Sequence, residues 1–362
     1  MAQTTRKHYI DNLRWIVLLL LIPYHTAMAW NVWGEPNYIF FEGNRLISSI
    51  VVFFSPYFMP LLFLLAGIST RLALQVRTRK EYLIERVKKL LIPFLFGTIV
   101  IMPIMTFFAD RYYHSYAVGF LEHCAFLFTH FTDLTGADGG FSMGQFWFLL
   151  YLLVISAISM GLLPLLNRIV TKVDAGIPFW IVLILGAPLP LLSELLSIGG
   201  KSLVEYTYLF MLGYVIFSRD GVIQKAEKNR WYLLGIGLAA SILNVYLFIW
   251  SNRNYAILNT ITKYVSEWFM LLAMIGLAKR YLNFNGKVSH YMKTRSFLYY
   301  IYHFVWVVLA QFLLYHAIGN RNAGLFFGTI ILSSIMTFLT CEISIRIPLL
   351  RMATGIKSKA KK

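Results

Sequence analysis

Cysteine and acidic residues are scarce in this sequence. Its 362 residues include 2 Cys, and 16 Asp and Glu stand against 33 Lys and Arg. Cys124 and Cys341 cannot supply a disulfide framework or a four-cysteine metal site. Charged residues make up 14% of the chain, well below the roughly 25% of an average soluble domain. These shortages exclude a small disulfide-stabilised fold and argue against an ordinary soluble one.

The sequence also lacks the motifs of soluble catalytic machinery. It contains no G-x-G-x-x-G after a strand, no P-loop, no G-x-S-x-G and no H-E-x-x-H. Its two halves show no repeat of the interrupted helices that mark many secondary transporters.

Apolar residues, by contrast, make up 58% of the chain and occur in runs too long for a soluble core. The sequence therefore predicts an all-α integral membrane protein of about ten transmembrane helices. We place the spans at residues 15–33, 48–70, 90–108, 144–166, 177–197, 203–217, 231–250, 258–278, 296–315 and 324–345.

The basic residues sort to one side of these spans. If the amino terminus is cytosolic, most of the 33 Lys and Arg face the cytosol, and the outer side receives only Arg45, Arg111, Lys201, Arg253, Lys263 and Arg321. The positive-inside rule then places both termini in the cytosol of a multi-pass protein of the plasma (inner) membrane. We expect one transmembrane domain over residues 1–346 and a basic cytosolic tail over 347–362. Because topology accounts for the net charge of +17, no nucleic-acid partner is expected.

The first span could be mistaken for a signal peptide. Basic residues precede it, and Ala27-Met28-Ala29 resembles a cleavage site. Pro23 and His25, however, interrupt the run where such a peptide is most apolar. We therefore predict an uncleaved first helix.

Arg14 and His25 are the chemically distinctive residues of that helix. They lie eleven residues apart, which is close to three turns at about 3.6 residues per turn, so both fall on one face of a continuous helix. His25 would then lie roughly 16 Å deeper than Arg14, near the middle of the hydrocarbon layer. An ionisable residue at that depth indicates a functional site.

The loop from Arg71 to Lys89 is the most basic part of the chain. Its charges are typical of topogenic residues lying against anionic headgroups. Arg71 and Arg86 are closest to the membrane ends of their spans, and either could face a cytosolic vestibule beside Arg14.

The outer segment 109–143 combines polar and aromatic residues. This mixture favours an interfacial aromatic belt, with stacking on a sugar as the alternative. The spacing of its histidines does not predict a metal site. Its ionisable residues are Asp110, His114, Glu122, His123, His130, Asp133 and Asp138.

Three further residues could lie on the acceptor side. Gln145 and Trp147 open the fourth span at the outer interface, where an aromatic belt would also lie. Glu267 is deeper, and an i,i+4 pair with Lys263 is the simplest explanation for it, with a proton relay as the alternative.

The ninth span carries a second intramembrane histidine. Ser296, Tyr299 and His303 occur at i, i+3 and i+7 and share one helical face. A lone buried histidine usually has a structural role, but two at similar depth favour a shared cavity.

These features suit acyl transfer. Imidazole can act as a general base or an acyl acceptor, and transfer from a thioester to a hydroxyl needs water excluded. Arginine binds phosphate bidentately, as a coenzyme A donor would require.

Several motifs, in order along nearly the whole chain, resemble those of the membrane acyltransferase-3 family. They are the Arg14-x10-His25 spacing preceded by Asp11, F-L-L-A-G-I-S-T-R at 63–71, E-R-V-K-K-L-L-I-P at 85–93, Q-F-W-F-L-L at 145–150 and S-F-L-Y-Y-I-Y-H at 296–303. The closing I-R-I-P-L-L-R at 345–351 resembles the branch that modifies periplasmic glucans.

The resemblance implies transfer of an acyl group, such as acetyl or succinyl, from cytosolic acyl-CoA to an extracytoplasmic carbohydrate. It implies His25 as the essential histidine and Arg14 and Arg71 as essential arginines. Acyl-CoA would be a substrate, and no bound cofactor is expected. The alternatives are a transporter or flippase for a glycan or acylated small molecule, and a structural membrane subunit, which would leave both intramembrane histidines unexplained.

Overall fold

The long apolar runs form helices, because hydrocarbon offers the backbone no hydrogen-bonding partner and a helix satisfies its own amides. The computed structural model describes residues 7–114, 118–131, 140–172 and 177–356. Asp133, Asp138 and the last six residues of the predicted tail lie outside these ranges.

The first half of the described chain consists mainly of helices. They are α1 (His8–Leu19), α2 (Leu21–Met28), α3 (Arg45–Leu74), α4 (Arg79–Arg86), α5 (Ile92–Phe96), α6 (Met102–His114), α7 (Phe120–Leu127), α8 (Trp147–Gly161) and α9 (Leu163–Lys172).

The second half continues in the same way and adds one small hairpin. The strands β1 (Ser197–Ile198) and β2 (Lys201–Ser202) pair antiparallel. The helices are α10 (Phe179–Ile184), α11 (Leu189–Leu192), α12 (Leu203–Leu212), α13 (Asp220–Lys228), α14 (Arg230–Val245), α15 (Ala256–Tyr281), α16 (Lys287–Ile318), α17 (Asn322–Arg346) and α18 (Pro348–Ala353).

Short non-α turns extend several of these helices. A 3-10 turn, Gly144–Phe146, precedes α8, and the π-helical segments are Val87–Leu91, Gly97–Ile101, Gly213–Phe217 and Tyr246–Trp250. The segment Gly213–Phe217 continues α12 and carries Tyr214, which is important below.

Seven helical stretches of the described chain are long and apolar enough to cross a membrane, and each overlaps a predicted span. They are Arg45–Leu74, Arg79–His114, Gly144–Gly161, Arg230–Trp250, Ala256–Tyr281, Lys287–Ile318 and Asn322–Arg346. The protein is therefore a helical, multi-pass membrane protein.

The predicted span 15–33 is not one continuous helix. Helix α1 ends at Leu19 and α2 begins at Leu21. Pro23 explains the interruption, because it lacks the amide hydrogen that would bond to the carbonyl of Leu19. The three-turn arithmetic that placed Arg14 and His25 on one face assumed an uninterrupted helix, so it does not apply here.

The predicted spans 177–197 and 203–217 are shorter than a full crossing helix. In the first, a turn over residues 185–188, which ends at Pro188, separates α10 from α11. The second is the apolar stretch Leu203–Phe217. The total of ten spans stays a prediction.

The chain divides into two units. Unit 1 comprises Met1–Val17, Val52–Leu83 and Val154–Thr294, and unit 2 comprises Leu18–Val51, Ile84–Leu153 and Arg295–Lys362. Asp11, Arg14, Arg71 and Glu267 belong to unit 1. Unit 2 contains the other candidate residues, which are His25, Arg86, Gln145, Trp147, Ser296, Tyr299 and His303.

Candidate active site

Arg14 makes polar contacts with Ser69 and Asp11 in unit 1. Its Nη2 donates to Ser69 Oγ on α3 at 2.8 Å, and its Nη1 lies 3.6 Å from Asp11 Oδ1. Ser69 precedes Arg71 by two residues, so Arg14 contacts the end of α3 that carries Arg71. Asp11 therefore contacts Arg14 from the preceding turn of α1.

Asn12 fixes the helix that carries Arg14. This fully buried amide donates to the carbonyls of Leu282 and Phe284 at 2.6 and 2.9 Å and accepts from Ser289 Oγ at 2.5 Å. Because two of these partners lie between α15 and α16 and Ser289 lies in the first turn of α16, α1 is anchored there one residue from Asp11.

A close backbone approach holds the end of α3 against the continuation of α12. A side chain at Gly67 would collide with the carbonyl oxygen of Phe210, and one at Gly213 with that of Leu64. The two glycines therefore allow the backbones to touch, which places Arg71 beside Tyr214. The Arg71 guanidinium carbon lies 5.9 Å from the centre of the Tyr214 ring, a cation–π distance.

A basic cavity of about 410 Å³ opens at this place in unit 1. The Tyr214 hydroxyl donates to Asn167 Oδ1 at 3.0 Å, which leaves the Asn167 amide hydrogens available to a ligand. None of the described residues that line the cavity is acidic. They are Arg71, Leu74, Gln75, Arg77, Thr78, Arg79, Leu163, Asn167 and Tyr214. We call this cavity the basic pocket.

His25 lies in an aromatic environment in unit 2. Its ring stacks on Phe304, with centroids 4.0 Å apart and planes 24° apart. Tyr24 contacts it edge-on at 5.2 Å, and the ring of His303 lies 5.3 Å away. The side chain is half-buried. The two histidines that the sequence singled out are therefore neighbours.

His303 is almost completely buried, with 1% of its surface exposed. Its Nδ1 lies 2.8 Å from the carbonyl oxygen of Tyr300 and 3.1 Å from that of Tyr299. Its Nε2 is buried and has no hydrogen-bond partner within the described part of the chain. Tyr299 is buried beside it and Ser296 is half-buried, so the predicted face of α16 points partly inward.

Gln145 packs against the same helix. Its Nε2 donates to the carbonyl of Ile301 at 3.2 Å, and the Tyr300 hydroxyl donates to the Gln145 backbone carbonyl at 2.5 Å. Gln145 Oε1 is buried without a partner among the described residues. Trp147 is half-buried and meets Tyr151 edge-on at 5.2 Å.

Glu267 is 1% exposed, and it interacts electrostatically with both Lys263 and Glu205. Lys263 Nζ donates to the Tyr264 hydroxyl at 3.2 Å. The contacts found within the described chain include no ion pair between Lys263 and Glu267.

Arg86 ends α4 in unit 2 and is half-buried, like Ser296. The neighbour of Ser296, Arg295, forms a 2.6 Å ion pair with Glu342. That ion pair ties α16 to α17, the helix that follows it.

The outer segment contains a buried polar cluster in unit 2. Thr106 Oγ1 lies 2.9 Å from His123 Nε2, and Asp110 lies 3.6 Å from His123 Nδ1 and 3.0 Å from His114 Nδ1. Burial lowers the pKa of His123 from its ordinary value, and the Asp110 carboxylate opposes that shift. Among the described residues, no group of three or more His, Cys, Asp or Glu side chains could hold a metal ion.

Sequence reasoning missed several residues of these sites. Arg77 and Arg79 were interpreted as topogenic, and Asn167 and Tyr214 carried no signal because they reach the basic pocket only through folding. Phe304 directly follows His303, and that adjacency was the one available hint.

The chain was compared with curated proteins, with solved structures and with protein-family models, and the family models gave a match. Neither the curated proteins nor the solved structures that were compared gave a match. A family model described as an acyltransferase domain matches residues 7–345, which is nearly the whole sequence. The chain therefore belongs to the acyltransferase-3 family of membrane acyltransferases.

Proposed function

We propose that the protein is an O-acyltransferase that moves an acetyl- or succinyl-type group from cytosolic acyl-CoA to a hydroxyl of an extracytoplasmic carbohydrate. His25 acts as the base or as the acyl carrier. The protein lies in the plasma membrane with both termini in the cytosol, as the distribution of its basic residues predicts.

The observation that carries the donor assignment is the basic pocket. Three guanidinium groups line one cavity together with two side-chain amides and a phenol hydroxyl. Coenzyme A is an elongated polyanion, and arginine is suited to its phosphates because the planar fork binds two oxygens at once. The volume of about 410 Å³ accommodates part of such a molecule. Arg14 contacts the same end of α3 and would add positive charge for the donor.

The environment of His25 supports its role in the transfer. Aromatic rings cover it on several sides, which limits water and therefore hydrolysis of the thioester. His25 is only partly buried, so a substrate can reach it. Family membership supplies the reaction class, and Gln145, Trp147 and Glu267 remain candidates for the acceptor side.

The test is thiol release by purified protein in nanodiscs. Acetyl-CoA or succinyl-CoA is supplied with a periplasmic glucan as the probe acceptor, and the wild type is compared with His25→Asn. We expect glucan-dependent thiol release by the wild type and its loss in the variant. Turnover that does not depend on His25 would overturn the mechanism. Glycan export that persists in an acyl-transfer-dead variant would favour the transporter alternative.

His316→Asn is the matched control. His316 lies on α16, is exposed, and makes the same type of Nδ1 contact to a backbone carbonyl, 2.8 Å from that of Phe312. It should retain full activity.

A further inference from the structure

The two nitrogens of His303 have different surroundings, and this difference fixes its tautomer. Nδ1 lies within hydrogen-bond distance of the carbonyls of Tyr300 and Tyr299. A carbonyl oxygen can only accept a hydrogen bond, so Nδ1 must carry the proton. In neutral imidazole the other nitrogen then has an unshared electron pair. His303 Nε2 is therefore an acceptor.

This acceptor is not used by the described part of the folded chain. Nε2 is buried and has no hydrogen-bond partner among the described residues. An unpaired polar atom in a protein interior costs free energy, because water would have satisfied it in the unfolded chain. A group that is pre-oriented at such a cost is suited to a partner that arrives during the reaction.

The neighbouring rings show which partner is available. His25, Tyr300 and Phe304 surround His303, with centroid distances of 5.3, 6.1 and 6.2 Å. Phe304 has no donor, and the Tyr300 hydroxyl already donates to Gln145. The His25 imidazole can supply an N–H, and rings whose centroids are 5.3 Å apart can bring a nitrogen of each to about 3 Å, a hydrogen-bond length.

Exposure separates the roles of the two histidines. His25 is partly exposed, so it can meet a substrate, whereas His303 is 1% exposed and can act only through its neighbour. A buried acceptor behind a reachable imidazole is the arrangement that orients a catalytic base.

We propose that His303 is the positioning residue for His25. During the reaction, the His25 N–H donates to His303 Nε2, which leaves the other His25 nitrogen unprotonated and facing the substrate. This role rests on the proposed function, and it takes His25 as the base rather than the acyl carrier.

The resulting step balances without another reactant. The oxygen of the acceptor hydroxyl forms a bond to the thioester carbonyl carbon while His25 takes the hydroxyl proton. The carbon–sulfur bond then breaks and the electron pair leaves on sulfur. His25 returns its proton to the thiolate, so the products are the ester and free coenzyme A. The contact to His303 stabilises the imidazolium while it exists.

The first test is a comparison of wild type, His303→Asn and His25→Asn with the His25→Asn/His303→Asn double variant. Asparagine keeps a donor for the Tyr300 carbonyl and removes Nε2. We expect His303→Asn to lower kcat about a hundredfold, the usual lower range for a base, with KM for acyl-CoA unchanged. The acid limb of its pH–rate profile should also change position, because coupled imidazoles titrate as a pair.

The double variant separates positioning from a merely structural role. If His303 acts through His25, adding His303→Asn to the His25→Asn variant should not lower kcat any further. Equal losses in both backgrounds, a loss confined to KM, or unchanged kcat in His303→Asn would each overturn the proposal.

His303→Gln keeps the proposal testable if the asparagine variant does not fold. Its amide oxygen reaches the place of Nε2 and can accept the same hydrogen bond from His25. It should retain kcat within about tenfold of the wild type, and complete inactivity of a folded His303→Gln would contradict the role. His316→Asn is again the control and should behave like the wild type.

The outcomes also separate this role from the proposed function. A wild type that consumes no acyl-CoA overturns the proposed function and this role with it. A wild type that turns over at the same rate as His303→Asn overturns only the role of His303.

Discussion

The imidazole of His25 lies face to face with the ring of Phe304, with 4.0 Å between the centroids. The stack fixes the plane of the imidazole and leaves its edges, where both nitrogens lie, free of the Phe304 ring. A ring held in this way can present one nitrogen to a substrate and the other to His303.

Replacing Phe304 with leucine should lower activity more than stability. The stack contributes on the order of 1 kcal/mol, so its loss should reduce kcat by about five- to tenfold while leucine still fills the space. The measurement is the rate of thiol release, with thermal unfolding of the same samples as the check. Phe327→Leu, at an exposed phenylalanine of α17, is the control and should retain wild-type kcat. An equal loss of kcat in both variants would contradict a specific role for the stack.

Replacing Arg71 with glutamine should weaken donor binding. A phosphate clamp acts mainly on the bound substrate, so we expect KM for acyl-CoA to rise about tenfold with kcat nearly unchanged. The measurement is initial rate against acyl-CoA concentration. Arg253→Gln removes an exposed arginine outside the basic pocket and should leave KM unaltered. A fall in kcat at constant KM would instead place Arg71 at the reacting centre.

Replacing Gly213 with alanine should destabilise the protein. The added methyl would meet the carbonyl of Leu64, and overpacking of this kind costs about 1–3 kcal/mol. The thermal midpoint in detergent should fall. Gly235→Ala is the matched control, because Gly235 lies within α14 with nothing near its Cβ position, and alanine there should stabilise slightly. Equal midpoints in the two variants would refute the close backbone approach.

Acidification should destabilise the protein through His123. Burial lowers the pKa of this histidine in the folded state, while the unfolded chain has a value of about 6.5. As the pH falls, the unfolded state binds the proton first. The contribution of neutral His123 to the free energy of unfolding is therefore complete above about pH 6.5 and is lost as the pH falls towards the folded-state pKa. Thermal midpoints between about pH 8 and pH 5 should show a decline that His123→Asn reduces. His290→Asn, at an exposed histidine, should leave the decline intact.

The sequence predicted the membrane class and seven of the long helices because hydrocarbon imposes a simple rule on length and composition. It failed at α1 and α2, where a single proline removes one hydrogen bond, and around α10 and α11, where further prolines lie. Each proline removes a backbone hydrogen bond locally. Whether the helix then ends depends on which other groups in the fold can bond to the freed carbonyl.

The candidate site was predictable where burial is expensive. His25 and His303 were identified because an ionisable side chain in an apolar run costs free energy and therefore indicates a function. The structure brings their rings together. The electrostatic interaction of Glu205 with Glu267 was not predictable, because the two residues are distant in sequence and come together only through packing. The basic pocket was missed because arginines in a cytosolic loop have the same composition whether they face lipid or a ligand.

The helix that carries His25 has only eight residues, too few to be stable by itself. Side-chain hydrogen bonds tie it to neighbouring helices. Gln311 of α16 donates to the carbonyl of Thr26, and Trp30, which follows α2, donates to Asn322 of α17. On gradual heating, these few bonds should break while the long spans still keep their circular dichroism signal. The protein would then lose enzymatic activity at a lower temperature than that at which its long helices melt. A ligand that binds at His25 would raise the inactivation temperature more than the melting temperature.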